Sequence, residues 1–132
     1  MSKRSSLIFV VEDDIPFGKL INYYLTKHGY KNVIVYTTEK ACLENFERQP
    51  DVLITDYKLD SVDGINLIQK AKKIYPNFYC ILLSGFAYNE IFVKETKNLY
   101  IDKYIQKSLS SMDELIHTLD HCQYGQFIEQ FY

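Results

Sequence analysis

Four apolar runs in this chain each end on a residue that can do chemistry. Glu12, Asp13 and Asp14 follow LIFVV, Asp56 follows DVLIT, Ser84 follows FYCILL, and Lys107 follows DKYIQ. Carboxylates, a hydroxyl and an amine together suit a divalent cation and a phosphoryl group. Mg²⁺ is a hard ion that prefers oxygen ligands. Phosphoryl transfer rests mainly on positioning and on charge stabilisation, and a carboxylate is a competent nucleophile for it. Short acidic runs after strands are common, so the weight lies on the four runs taken together.

The runs must be held so that their ends meet. Each is short and rich in Val, Ile, Leu or Phe, which reads as a buried strand. The predicted strands are β1 over 7–11, β2 over 33–36, β3 over 52–55, β4 over 78–83 and β5 over 102–106. Helices alternate with them. For α1, Asp14 is the N-cap, Pro16 lies in the first turn and Gly29 is the stop, with Leu20, Ile21, Tyr24 and Leu25 as the buried stripe. α2 spans about 38–48 and is closed off by Pro50. α3 follows the Asp63-Gly64 turn, turns Leu67, Ile68, Ala71, Ile74 and Tyr75 inward, and stops before Pro76. α4 spans about 88–97. α5 begins after Ser111, whose spacing to Glu114 reads as a capping box, with Leu115, Ile116, Leu119 and Cys122 inside. Five such units imply a single α/β domain, a parallel sheet covered on both faces, with right-handed connections. Ligands of such sheets bind beyond the carboxyl ends of the strands, where the four runs end.

Composition narrows the function. The chain has 132 residues, enough for one domain with a core. A net charge of −2 argues against a nucleic-acid binder or a membrane-surface protein, and Lys70, Lys72 and Lys73 read as a solvated helix face. Cys42, Cys80 and Cys122 show no metal or disulfide spacing and fit reduced thiols. No run is long enough to span a bilayer, and MSKRSS leads straight into a strand too short for a signal-peptide core. These features point to a cytoplasmic protein. His28, His117 and His121 read as helix-surface residues without ligand-like companions.

The acidic pair in VVEDD, the aspartate in LITDYKLDSVDG, the serine in LLSG and the lysine in YIQK, in this order, resemble the receiver domain of bacterial two-component response regulators. The similarity covers about residues 6–122. The resemblance implies a doubly wound, flavodoxin-like (CheY-like) fold with sheet order 2-1-3-4-5, a receiver domain over 1–122, and a tail over 123–132 that extends α5 or starts a linker. It implies that Asp56 is the phosphoacceptor and that Asp13 binds Mg²⁺ directly. Glu12 then acts mostly through a metal-bound water, and the main-chain carbonyl of Lys58 is a further metal ligand. Ser84 resembles the hydroxyl that bonds a phosphoryl oxygen, Lys107 the lysine that pairs with the phosphoryl group, and Tyr104 the aromatic whose rotamer reports activation. The implied partners are a sensor histidine kinase or phosphotransfer protein and a downstream protein reached through α4–β5–α5, with no direct nucleic-acid contact. The implied role is a switch that catalyses its own phosphorylation and slow dephosphorylation, not a turnover enzyme.

The chain departs from the family pattern in places. Ser108 follows Lys107 where the family usually has proline. A cis bond before serine would cost about 3–4 kcal/mol, so a trans bond and a differently shaped β5–α5 turn are expected. Tyr100 and Ile101 stand where small residues are frequent, which motivates a partner or dimer patch of Phe92, Tyr100, Tyr104 and the α5 face. Lys58 and Phe86 orient water poorly, so slow self-dephosphorylation is expected. Gly85 leaves room for a donor. Asp60 and Asp63 read as loop-turn residues. An EF-hand reading of the 56–61 segment fails at Lys58 and for want of the glycine. Two other function classes stay open: a phosphorylation-independent interaction module, motivated by Lys107-Ser108, and a phosphohydrolase or flavin-binding protein. The last is weakened by Lys58 where a D-x-D motif needs its second aspartate. Little chain follows the receiver-like region, so no effector is expected within these residues.

Overall fold

The computed structural model describes residues 3–59, 63–85 and 101–122. Five parallel strands, β1 (Leu7–Val11), β2 (Asn32–Tyr36), β3 (Val52–Asp56), β4 (Tyr79–Ser84) and β5 (Lys103–Gln106), form one sheet in the order β2-β1-β3-β4-β5. The expected doubly wound arrangement and its strand order are both present. The order reverses between β1 and β3, where the topological switch point of such a sheet lies. The expected α4, together with Phe86, Phe92, Tyr100, Asp60 and the 123–132 tail, falls outside the described residues.

Strand alternation divides the core in two. Ile8, Val10, Val52, Ile54, Ile81, Leu83 and Ile105 pack on one face with residues of α1 (Ile15–Lys27) and α5 (Ser111–His121). Phe9, Val11, Leu53, Cys80 and Leu82 pack on the other with α2 (Glu39–Glu44) and α3 (Gly64–Ile74). Successive side chains of a strand point to opposite faces, so a central strand covered twice is apolar throughout, and β3 is buried at every position.

Several helix expectations hold. The Asp14 carboxylate accepts from the Phe17 amide and Pro16 sits in the first turn, so α1 starts as anticipated. Asp63, read from sequence only as a turn residue, caps α3 by accepting from the Asn66 amide at 2.8 Å. Cys42, Cys80 and Cys122 are buried free thiols. Other expectations need correction. α2 ends at Glu44, where the Asn45 side chain donates to the Ala41 carbonyl, and a 3-10 turn over Phe46–Arg48 completes the segment. Leu20 and Ile74 are exposed rather than buried. The cap of α5 is Ser110, not Ser111. Among the described residues, no helix is long and apolar enough to cross a membrane.

The amino-terminal segment is tied to the far end of the chain. The Arg4 guanidinium donates to the His28 carbonyl at 2.7 Å, contacts Asp120 at 3.3 Å and lies over the Tyr30 ring. The Tyr30 hydroxyl also donates to Asp120. This network joins the end of α1 to the last turn of α5, at the end of the sheet opposite the strand ends that carry the site.

Candidate phosphoryl-transfer site

Period-two alternation places the site residues. Glu12, Asp56 and Lys107 each lie two residues beyond Val10, Ile54 and Ile105, which all belong to the α1/α5 side of the core. Their side chains therefore continue the same face past the strand ends. Backbone hydrogen bonds carry the ladder out with them. Glu12 N–H donates to the Tyr36 carbonyl at 3.0 Å, Tyr57 N–H to Leu83 at 2.7 Å and Lys107 N–H to Ser84 at 2.7 Å. The three side chains consequently start from a rigid frame.

They meet in one constellation. The Lys107 ammonium donates to Glu12 Oε1 and to Asp56 Oδ2, both at 2.9 Å. The phenyl ring of Phe17 lies 4.6 Å from Lys107 Nζ on another side, a cation–π contact. Glu12 Oε2 accepts from the Asp14 amide at 3.1 Å, and Asp56 Oδ1 accepts from the Lys58 amide at 3.3 Å. Glu12, Asp13 and Asp56 each offer a carboxylate oxygen, all within 4.8 Å of one another. Glu12 is 1% exposed and Asp56 7%, so the constellation is recessed.

The electrostatics follow from that burial. Desolvation pushes the Glu12 carboxyl up to about 7, and the nearby Asp56 charge pushes it further the same way. The Lys107 hydrogen bond and the Asp14 amide oppose this without cancelling it. For Lys107 burial acts downward, but its hydrogen bonds to Glu12 and Asp56 outweigh burial and hold the ammonium above the ordinary lysine value. Among the described residues one half-buried cation, Lys107, meets the carboxylate cluster of Glu12, Asp13 and Asp56, so the site has spare acceptor oxygens and excess negative charge. That surplus, in hard oxygen donors, fits a divalent cation such as Mg²⁺.

Ser84 and Tyr104 stand differently. Ser84 follows the alternation of Leu82, on the α2/α3 side of the sheet, and is buried. Tyr104 pairs in register with Leu82 and packs half-buried on that same side. Both are thus beside the site but on the opposite face from the Lys107 constellation. The Lys58 amide faces Asp56. Ile101, expected to be bulky before β5, packs on the α2/α3 core, and the Asp102 carboxylate accepts from the Cys80 amide at 2.7 Å.

The turn after Lys107 shows how the chain manages without proline. There is no cis peptide bond among the described residues, so Lys107-Ser108 is trans, as expected. Ser111 Oγ accepts from the Ser108 amide at 2.6 Å and lies 2.9 Å and 3.1 Å from the Ser108 and Gln106 carbonyls. A buried hydroxyl thus ties the turn together, which is why Ser111 is not free to cap α5. Ser111→Ala is expected to cost about 1–2 kcal/mol in urea denaturation. Unchanged stability would show that the hydroxyl does not hold the turn. Sequence reading missed this staple and the Phe17 contact. The Ser111 spacing was visible but fits a capping box equally well, and no local pattern joins Phe17 to a lysine 90 residues away.

Comparison with known proteins agrees with this geometry. The model of the response regulator receiver domain matches residues 8–120. The chain belongs to that family, whose members are signalling switches rather than classical enzymes. It is 35% identical over 78 residues to the uncharacterised transcriptional regulatory protein YesN of Bacillus subtilis, covering 54% of this chain and 21% of that protein. It is 28% identical over 93 residues to sporulation initiation phosphotransferase F of the same organism, covering 70% and 73% of the two chains. Transcriptional regulatory protein ZraR of Salmonella typhimurium is matched over only 25% of its length, so the chain spans about a fifth to a quarter of these transcriptional regulators. A CheY-like receiver domain structure from Methanospirillum hungatei superposes with a TM-score of 0.75 at 28% identity, covering 88% of this chain and 94% of that one.

Proposed function

We propose that this domain accepts a phosphoryl group on Asp56 and uses it to switch a protein-binding surface. The observation that carries the reading is the Lys107 ammonium 2.9 Å from both Asp56 and Glu12. A lysine so placed can follow a phosphoryl oxygen as charge arrives on Asp56. Glu12, Asp13, Asp56 and the main-chain carbonyl of Lys58 would hold Mg²⁺, which supplies neutralisation of phosphoryl oxygens when bound.

The chain's own residues account for the rest. The Asp56 carboxylate attacks phosphorus, an acyl phosphate bond forms, and the bond to the donor's nitrogen or oxygen breaks. Lys107 exchanges its carboxylate contacts for a phosphoryl oxygen. The Ser84 hydroxyl then gains a charged acceptor, drawing its loop toward Asp56 and giving Tyr104 a different packing. The event is a local charge change that biases a two-state element. Among the described residues, no atom lies within 4 Å of the place a Cβ on Gly85 would occupy, which leaves room on that side for a donor.

The donor is a sensor histidine kinase or phosphotransfer protein, a reading supported by the relative named as a phosphotransferase. A downstream protein or a second copy engages α4–β5–α5, and the domain works in the cytoplasm over residues 1–122, with 123–132 as tail. A phosphorylation-independent interaction module is the less favoured reading, because Lys107 reaches Asp56 despite Ser108. Incubation with acetyl phosphate and Mg²⁺ separates the readings. A single stable adduct supports the switch, no adduct with any donor supports the constitutive module, and continuous phosphate release supports a hydrolase.

A further inference from the structure

We propose that His117 and His121 on α5 form a chelating site for a divalent transition-metal ion of the zinc, nickel or copper type, separate from the acidic constellation. The two residues are one turn apart on an exposed helix face, and their rings stand 4.3 Å apart between centroids. Histidines at this spacing lie on one side of a helix, an arrangement that can hold one borderline metal ion between them. Imidazole suits zinc, copper and nickel, whereas Mg²⁺ prefers oxygen, so the two sites of this chain differ in the ion they select.

The His121 ring is already oriented. Its Nδ1 lies 2.9 Å from the His117 carbonyl. A carbonyl can only accept, so Nδ1 carries the proton and Nε2 keeps its lone pair for a metal. Hydrogen bonding of one ring nitrogen to a carbonyl is the usual way a ligating histidine is fixed in tautomer and direction. The surroundings favour a cation. α5 carries Asp113 and Glu114 and no lysine or arginine of its own, its Asp120 being paired with Arg4, and its carboxyl-terminal dipole end lies at His121. Asp113 is exposed one further turn before His117 and adds negative charge to the same helix face. The Arg4–Asp120–Tyr30 network anchors the same last turn, which limits the ordering that binding requires.

The test is a calorimetric titration of the untagged full chain with zinc chloride, in millimolar Mg²⁺ to occupy the acidic site. About one equivalent is expected to bind. His117→Ala and His121→Ala should each weaken binding at least about tenfold, while His28→Ala and Asp13→Asn should leave it unchanged. Backbone amide resonances shifted by zinc should concentrate in the last two turns of α5. Circular dichroism of the histidine variants checks that the helix is retained, which their exposure leads us to expect. Zinc affinity unchanged from the wild type in either histidine variant, or loss of binding in Asp13→Asn, would overturn the proposal.

Discussion

Gly64→Ala is expected to destabilise the domain by about 2–4 kcal/mol and to slow phosphorylation of Asp56 by at least about tenfold. Gly64 opens α3 directly under Asp56, the proposed phosphoacceptor. A Cβ there would fall well inside van der Waals contact of the Asp56 carbonyl oxygen, 3.1 Å from its carbonyl carbon and 3.3 Å from a Leu82 methyl. The nearest atoms are backbone in a fully buried central strand, so neither a rotamer change nor solvent can absorb the clash. The Gly64 amide also donates to the Tyr57 carbonyl at 2.7 Å, which pins α3 to the residue after Asp56. Relief must come from moving the start of α3 or the end of β3. The second movement displaces Asp56, the proposed nucleophile, from Lys107, and a misplacement of about 1 Å can cost on the order of a hundredfold in rate. Gly85→Ala is the control, because a Cβ there meets no atom of the described residues within 4 Å, and its stability should change by less than about 0.5 kcal/mol. Urea denaturation and the rate of reaction with acetyl phosphate read both effects. A Gly64→Ala protein as stable as its parent would show that the helix start is not wedged against Asp56.

The second large effect is electrostatic. In metal-free buffer, stability should fall as pH rises from about 5 to 7, and Glu12→Gln should remove most of that fall. Burial raises the Glu12 carboxyl from 4.5 to about 7. Between those values the folded protein holds a proton that the unfolded chain has released. Stability therefore decreases with pH in that window. The size is on the order of 1–3 kcal/mol. Lys107 does not contribute there. Its folded value is raised above 10.5, so its stabilising effect is complete across the window and is lost only at higher pH. Above pH 7 without metal, the glutamine variant should be the more stable protein. Adding Mg²⁺ should reverse the order, since an ion that binds only the folded state stabilises it and the variant lacks one carboxylate. Thermal or urea unfolding at pH 5 and pH 8, with EDTA or with Mg²⁺, gives the four numbers needed. A wild type whose stability is flat from pH 5 to 7 in EDTA would contradict the buried-carboxylate account.

Legibility in the sequence followed the range of each interaction. β1 was readable to the residue because a continuous apolar run ends abruptly at Glu12, and Asp14 as a cap needed only its position before Pro16. The convergence of Glu12, Asp56 and Lys107 was readable because each ends a short apolar run and ligands of a parallel sheet bind beyond its carboxyl edge, while the strand order that joins them came only from the family resemblance. The break of α2 at Asn45 was not, since an asparagine that bonds back to the Ala41 carbonyl has no distinctive spacing. Leu20 and Ile74 fit the helical period but are exposed, which only tertiary packing decides. The Ser111 staple, the Phe17 ring on Lys107 and the Arg4–Tyr30–Asp120 tie depend on partners that folding brings together. His117 and His121 read in the sequence as helix-surface residues without ligand-like companions, and the closeness of their rings and the His121 hydrogen bond appear only in the folded helix.

Intact-mass analysis after incubation with acetyl phosphate and Mg²⁺ tests the central claim most directly. The wild type should gain a single phosphoryl group that is lost in Asp56→Asn, reduced strongly in EDTA and slowed in Lys107→Ala. An unchanged adduct in folded Asp56→Asn, or none in the wild type with Mg²⁺ under this or any other donor, would contradict it.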